Sequence, residues 1–368
     1  MASARTRRLR WSAPLLVIAV LALIAAIPGL SASAAPSLAP ITPQDLIAKV
    51  QQTKVTAFSG ELTLTTNLGI PNLGALSNAT SGGQHGGQGF NPTDLLSGSH
   101  KALVWAGGPD TTRVALLQSM AETDVVHNGH DVWLWDSTTK KVTHYTESGT
   151  GSATSGAPDT ANPAEAVKTP AQEASDLLAH LDPSTTVTVG ASDTVADQDV
   201  YELILTPKAA ASTVDHVAIA VDNATGFPLQ VKVFAKGQTA AAVTLGFTKV
   251  SYSAPAASEF SFTPPPGSTV TNKTVGGTKH SSSATGTPDT PQPTTVGEGW
   301  GTVAIVPNVQ IPSQLNQYLN AATPVSGAFG TGRVLSTPLV NVLVLNDGRV
   351  AVGAVNASAL EAAIASTP

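Results

Sequence analysis

Between Lys101 and Tyr145 the chain repeats one pattern of short strand-like runs, each parted from the next by a few turn-forming residues. Lys101 to Ala106 ends in Gly107-Gly108-Pro109-Asp110. Thr112 to Ser119 and Glu122 to His127 come next. Asn128-Gly129 is a two-residue hairpin turn of the I′ kind. His130 to Asp136, the turn Ser137 to Lys140 and the return Lys141 to Tyr145 complete the run. Connections this short join only antiparallel neighbours, so the stretch is a meander. Successive strand residues point to opposite faces. Trp133 and Trp135 therefore share one face, and Val132 and Leu134 the other.

The same period extends to both sides. Phe58 to Leu68 alternates, with Phe58, Gly60, Leu62 and Leu64 on one face and Glu61, Thr63 and Thr65 on the other. Further strands are expected at Thr185 to Val189, Asp199 to Thr206, Val214 to Val221, Leu229 to Phe234 and Ala242 to Tyr252. Phe260-Ser-Phe-Thr ahead of Pro264, Pro265 and Pro266 reads as a last, edge strand, because three residues without a backbone donor end a ladder. Two helices interrupt the strands. Thr42-Pro43-Gln44-Asp45 starts one over 42–54, with Leu46, Ile47, Val50 and Lys54 as its inner stripe. Thr169-Pro170-Ala171-Gln172 is a capping box that starts another over 170–181, striped by Ala174, Leu177, Leu178 and Leu181. Residues 69–99 and 147–161 are a Gly/Ser-rich insertion and a linker, and 273–297 form a second low-complexity linker. A small α+β unit is expected over 298–368: a strand from Trp300 to Val306, a helix over 312–320, a hairpin around Asn346-Asp347-Gly348, and a final helix from Ala357 to Ala365. Its core is small, so it is expected to dock on the sheet.

Arg5, Arg7, Arg8 and Arg10 precede an apolar run from Pro14 to Ile27, a Pro28-Gly29 break and the small residues Ala32-Ser33-Ala34. This is the layout of a secretory signal peptide over residues 1–34, so the protein is expected to be exported across the cytoplasmic membrane. The alternative is an uncleaved anchor, since Trp11 to Leu30 is about long enough to span a bilayer. Without those four arginines the formal charge goes from −6 to −10. An acidic chain with no further basic run argues against nucleic acid as a partner. There is no cysteine, which excludes disulfides, thiolate metal sites and a Cys nucleophile. His127 and His130 bracket a hairpin turn without a third metal ligand, and Asp193, Asp197 and Asp199 lack the Glu that closes a Ca²⁺ loop. No nucleophile elbow, zinc-helix or Walker pattern occurs, so the residues give no support to catalysis or to a cofactor.

Four stretches together resemble the outer-membrane lipoprotein carriers, the LolA-like family, whose fold also occurs in sigma-factor regulators of the RseB/MucB type and in mycobacterial lipid-carrying lipoproteins. They are Asp45-Leu46 to Phe58-Ser59-Gly60-Glu61, His127-Asn-Gly-His-Asp-Val-Trp-Leu-Trp135, Tyr201-Glu-Leu-Ile-Leu-Thr-Pro-Lys208, and Phe260-Ser-Phe-Thr-Pro-Pro-Pro-Gly267. The resemblance covers roughly residues 43–270, and the half-barrel domain is expected over 41–272. It implies a mainly β fold: a half-open, curved antiparallel β-barrel of about eleven strands, with an apolar concave side and lid helices. It also implies that acyl chains of lipids or lipoproteins are the partners of a monomeric, non-enzymatic carrier. The alternative is an envelope sensor in which the C-terminal unit contacts a membrane protein. In the carriers an early-strand Arg holds the lid shut, and Arg113 occupies the matching place; an ordinary exposed strand residue is its other reading. The inward, lipid-binding set is expected to be Leu62, Leu64, Val104, Arg113, Leu116, Trp133, Trp135, Leu203, Leu205, Ile219, Val233 and Phe247. A closed core built from the same apolar residues is the alternative.

Overall fold

Six strands succeed one another as antiparallel neighbours in the first part of the chain: β1 (Phe58–Thr66), β2 (Gly98–Gly108), β3 (Thr111–Gln118), β4 (Ala121–Asn128), β5 (Asp131–Asp136) and β6 (Lys141–Ser148). The structure is a computed structural model that describes residues 36–69, 95–148, 168–181, 183–276, 293–309, 319–320 and 322–367. The expected export segment lies outside the described residues, as do most of the 69–99 insertion and the 147–161 linker. The chain divides into two units, Met1–Ser37 and Leu38–Pro368, and every strand and helix described belongs to the second.

A second series comprises β7 (Thr185–Val189), β8 (Asp193–Val195), β9 (Gln198–Pro207), β10 (Val214–Asp222), β11 (Pro228–Ala235) and β12 (Ala241–Ser251). β12 returns to pair with β1, placing Phe247 opposite Leu62 and Leu245 opposite Leu64. With β13 (Thr269–Gly276) the described strands form one 13-stranded sheet, in the order β13-β6-β5-β4-β3-β2-β1-β12-β11-β10-β9-β7, with β8 hairpinned onto β9. The sheet does not close, so β13 and β7 are its edges. It is larger than the expected eleven strands, and it is mixed, because β13 runs parallel to β6.

The edge differs from the sequence reading. Phe260 ends a 3₁₀ turn, Ala257–Phe260, and is buried, and no ladder forms before the prolines. The aromatic side chains are used on a sheet face instead. The Phe260 ring lies against Gly107, where an added Cβ would come within 2.8 Å of it, and Phe262 packs on Trp133. Pairing resumes only past Pro266, where every residue again has a donor.

Helix α1 (Pro43–Gln51) starts at Thr42, whose hydroxyl accepts from the Asp45 amide at 3.1 Å. Helix α2 (Pro170–Ala179) starts with the complete Thr169/Gln172 capping box. Leu46 and Val50 of α1 and Ala174 and Leu178 of α2 are buried in one cluster with Leu203, Leu205, Val217, Ile219 and Val231. Both helices therefore lie across one face of the sheet. Gly226 lets helix α1 approach the turn between β10 and β11 closely. It has φ +74°, and a Cβ there would sit 2.4 Å from the Lys49 carbonyl oxygen.

A second, six-stranded sheet has the order β14 (Thr294–Val296), β15 (Val303–Val306), β19 (Val350–Gly353), β18 (Asn341–Leu345), β17 (Gly330–Ser336), β16 (Thr323–Gly327). Helix α3 (Ala357–Ala365) packs Leu360 and Ile364 against Val303, Leu343 and Ala351. β16 and β17 were not anticipated, because Gly and Pro interrupt their alternation. Trp300 belongs to a 3₁₀ turn, Gly299–Gly301, rather than to the strand. β13 and β14 take up both ends of the expected 273–297 linker. The helix expected over 312–320 falls almost entirely outside the described residues. This small sheet docks on the large one: Thr213 donates to the Ala354 carbonyl at 2.9 Å, Asn356 to that of Ala211 at 2.8 Å, and Trp300 Nε1 to Thr185 Oγ1 at 2.9 Å.

Replacing Gly226 with Ala combines a left-handed backbone with a clash against helix α1. Gly226→Ala should lower stability by more than about 1 kcal/mol, read as a reduced urea midpoint at unchanged slope.

Candidate functional site: an apolar cavity under helix α2

The rows of the sheet settle which residues share a face. Cross-strand partners lie on the same side, and alternate residues along a strand do too. Gly60, Leu62 and Leu64 on β1 face the same way as Val104 and Ala102 on β2 and Val114 and Leu116 on β3. Through β12 that row continues to Val231 and Val233 on β11 and to Val217 and Ile219 on β10. This is the face that carries the helices.

On it lies a cavity of about 410 Å³. Leu62, Leu64, Ala102 and Leu116 form one wall, and Val217, Val231, Val233, Val243 and Leu245 the other. Leu116 on β3 and Val217 on β10 are five strands apart, about 24 Å on a flat sheet at about 4.8 Å per strand. Their sharing of one cavity reflects the curvature of the half-open barrel. Leu177 and Glu173 of helix α2 cover it, and Leu95 and Trp300 complete its lining. The polar lining groups have their own partners. His100 Nε2 donates to the Ser97 carbonyl at 2.8 Å, and Lys168 pairs with Asp176 at 2.7 Å and Glu173 at 3.8 Å.

Of the twelve residues expected to face inward, Leu62, Leu64, Leu116 and Val233 line the cavity. Val104, Leu203, Leu205, Ile219 and Phe247 share its face but are fully packed beside it. Phe247 sits edge-on to Phe58 at 5.9 Å. Ala102, Val217, Val231, Val243 and Leu245 were missed, although each stands two positions along a strand from a named residue, or across the ladder from one. Leu177 and Trp300 could not be read this way, because nothing local says which strands a helix or a turn will cover.

Arg113, Trp133 and Trp135 lie on the opposite face, which corrects their inward assignment. Arg113 stands across from Trp105 and Val126, in the row that continues to Trp133 and His144. Its guanidinium lies 5.0 Å from the Trp105 ring centre and donates to Asp124 at 2.8 Å and Glu259 at 3.4 Å, with Glu122 at 3.9 Å. It therefore holds the segment before Phe260 to the outer face, on the side of the sheet away from helix α2. Trp133 stacks on His144 with ring centres 3.7 Å apart, and His144 in turn contacts Asp131 at 2.6 Å. The aromatic pair is covered by Phe262, so it supports the outer face. Alternation had separated the Trp face from the Val132/Leu134 face correctly; residue size was a poor guide to which one turned inward.

No family model matches the chain, and no curated protein matches it. Solved structures do. The chain is similar to one in the MucA/MucB complex of Pseudomonas aeruginosa (15% identity, 88% of this chain and 96% of that one, TM-score 0.44). It is similar to one in the structure of MucB with MucA(peri) (16% identity, 88% and 97%, TM-score 0.42). It is also similar to a LolA superfamily protein of Nitrosomonas europaea (10% identity, 61% and 99%, TM-score 0.23). The half-open barrel with helices across its concave face is the fold that the sequence motifs imply.

Burial raises the Glu122 carboxyl above its ordinary value, and the neighbouring Asp124 adds to this. The folded state then holds that proton more tightly than the unfolded chain does. This group's contribution to stability should fall as pH rises through the carboxylate range. Glu122→Gln should flatten that part of the stability–pH curve, measured by urea titration between mildly acid and neutral pH.

Proposed function

We propose that this protein is an exported, non-enzymatic carrier that binds an acyl chain of a lipid or lipoprotein in the cavity under helix α2. The observation that carries this reading is the cavity lining: two walls of Leu, Val and Ala from six strands, covered by a helix, with the polar groups at its border already paired. An apolar chain gains about 0.8 kcal/mol for each CH₂ withdrawn from water, and needs no polar partner inside. The volume lies within the range of about 300–1,000 Å³ that holds small ligands. The resemblance of the four sequence stretches to lipoprotein carriers points the same way.

A second reading is a sensor whose C-terminal sheet contacts an envelope membrane protein. Trp300 favours it, because the residue that tethers the small sheet to Thr185 also lines the cavity. Cargo in the cavity would touch the unit that meets the partner.

Native mass spectrometry of the protein purified without detergent is expected to show a bound acylated species, or uptake of an added fatty acid. Leu177→Glu and Val231→Glu each place a carboxylate on the lining and should abolish uptake. Arg113→Ala, on the other face, should leave it unchanged. A protein that takes up no acyl ligand in either experiment is not such a carrier.

A further inference from the structure

Aromatic rings bound the cavity at its inner end. Along the concave row of β1, Leu64 and Leu62 both line it, and each stands across from a residue of β12, Leu64 from Leu245 and Leu62 from Phe247. The next position of the row is Gly60, which brings no side chain. The Phe247 ring takes that space: a Cβ on Gly60 would come within 2.7 Å of it. Phe58 and Phe227 close up behind, with ring centres 5.9 and 6.0 Å from that of Phe247 and 4.9 Å from each other. All three phenylalanines are buried.

The flank toward β9 and β10 is shut as well. Leu203, Leu205 and Ile219 have no exposed surface and are packed in one cluster with Leu46, Ala174 and Leu178 of the two helices. The polar border lies at Lys168 and Glu173, whose side chains are 42% and 40% exposed. Among the described residues the cavity is thus a blind slot, apolar at its floor and polar at its mouth. A methylene takes up the room of one water in the liquid, about 30 Å³, so a cavity of 410 Å³ holds on the order of fourteen carbons. That is one acyl chain. A second chain would have to displace a close-packed core, which resists such rearrangement.

We propose that the cavity is a slot for one acyl chain, with the Phe247 ring as the floor that fixes its length. The cargo is then a single-chain amphiphile, a fatty acid or a lysophospholipid, and not a diacyl lipid or a triacylated lipoprotein. This deepens the carrier reading and rests on it. The test is native mass spectrometry of the protein with saturated fatty acids of increasing length, lysophosphatidylglycerol, diacyl phosphatidylglycerol and a triacylated lipopeptide. One chain should bind per protein. Affinity should rise with length and then fall several-fold beyond the chain that fills the slot. Fatty acid and lysophosphatidylglycerol share the single chain, and the tighter of the two identifies the head group that the border accepts. Phe247→Leu lowers the floor and should move the optimum to longer chains. Leu62→Phe raises it and should move the optimum to shorter ones. Phe329→Leu, in the core of the small sheet, should leave the optimum unchanged. Tight uptake of the diacyl lipid or the lipopeptide would overturn the single-chain slot, and an optimum that moves with neither cavity variant would overturn the floor; both results leave a carrier standing. Uptake of none of these ligands would remove the carrier reading itself, and the slot with it.

Discussion

A sheet that curves toward itself without closing leaves an apolar concave face that something must cover. That constraint organises the molecule. The concave rows of β1 to β3 and of β9 to β12 are almost wholly aliphatic or aromatic, and water against them would be costly. Helices α1 and α2 are too short to be stable alone, yet both are well capped, and they cover the part of that surface formed by β7, β9, β11 and β12. Where α2 stands off the sheet, the cavity remains. The site is thus a part of the core that the covering helix does not fill.

The outer face is managed by other means. A convex face can meet water, so it carries the charged and amphipathic residues: Glu61 between Lys101 and Lys249, and Arg113 among Asp124, Glu122 and Glu259. Asp124 is buried beside Arg113, which pairs with it at 2.8 Å. The role of this cluster is to fasten the segment that leads through Phe260 and Phe262 to β13. That segment brings β13 to the far edge as a parallel partner of β6, capping a ladder that would otherwise be open.

The small C-terminal sheet meets the large one at the β9–β10 turn and at β7, and supplies Trp300 to the cavity. The small sheet thus contributes to the cavity lining through a turn that is itself hydrogen-bonded to β7.

Much of this was legible in the residues alone. Two-residue turns forced an antiparallel meander, alternation sorted each strand into two faces, and Thr42 and Thr169 announced the helix starts. These are local properties, decided by backbone donors, φ preferences and the period of two. What alternation leaves open is which face turns inward, because both faces of β5 and β3 carry large side chains. Only the curvature of the whole sheet put Leu116 inside and Arg113 and Trp133 outside. Which strands helix α2 covers, and that Trp300 reaches the cavity, depend on contacts between residues far apart in the chain. No local signal encodes such contacts, so the tertiary structure alone decided them.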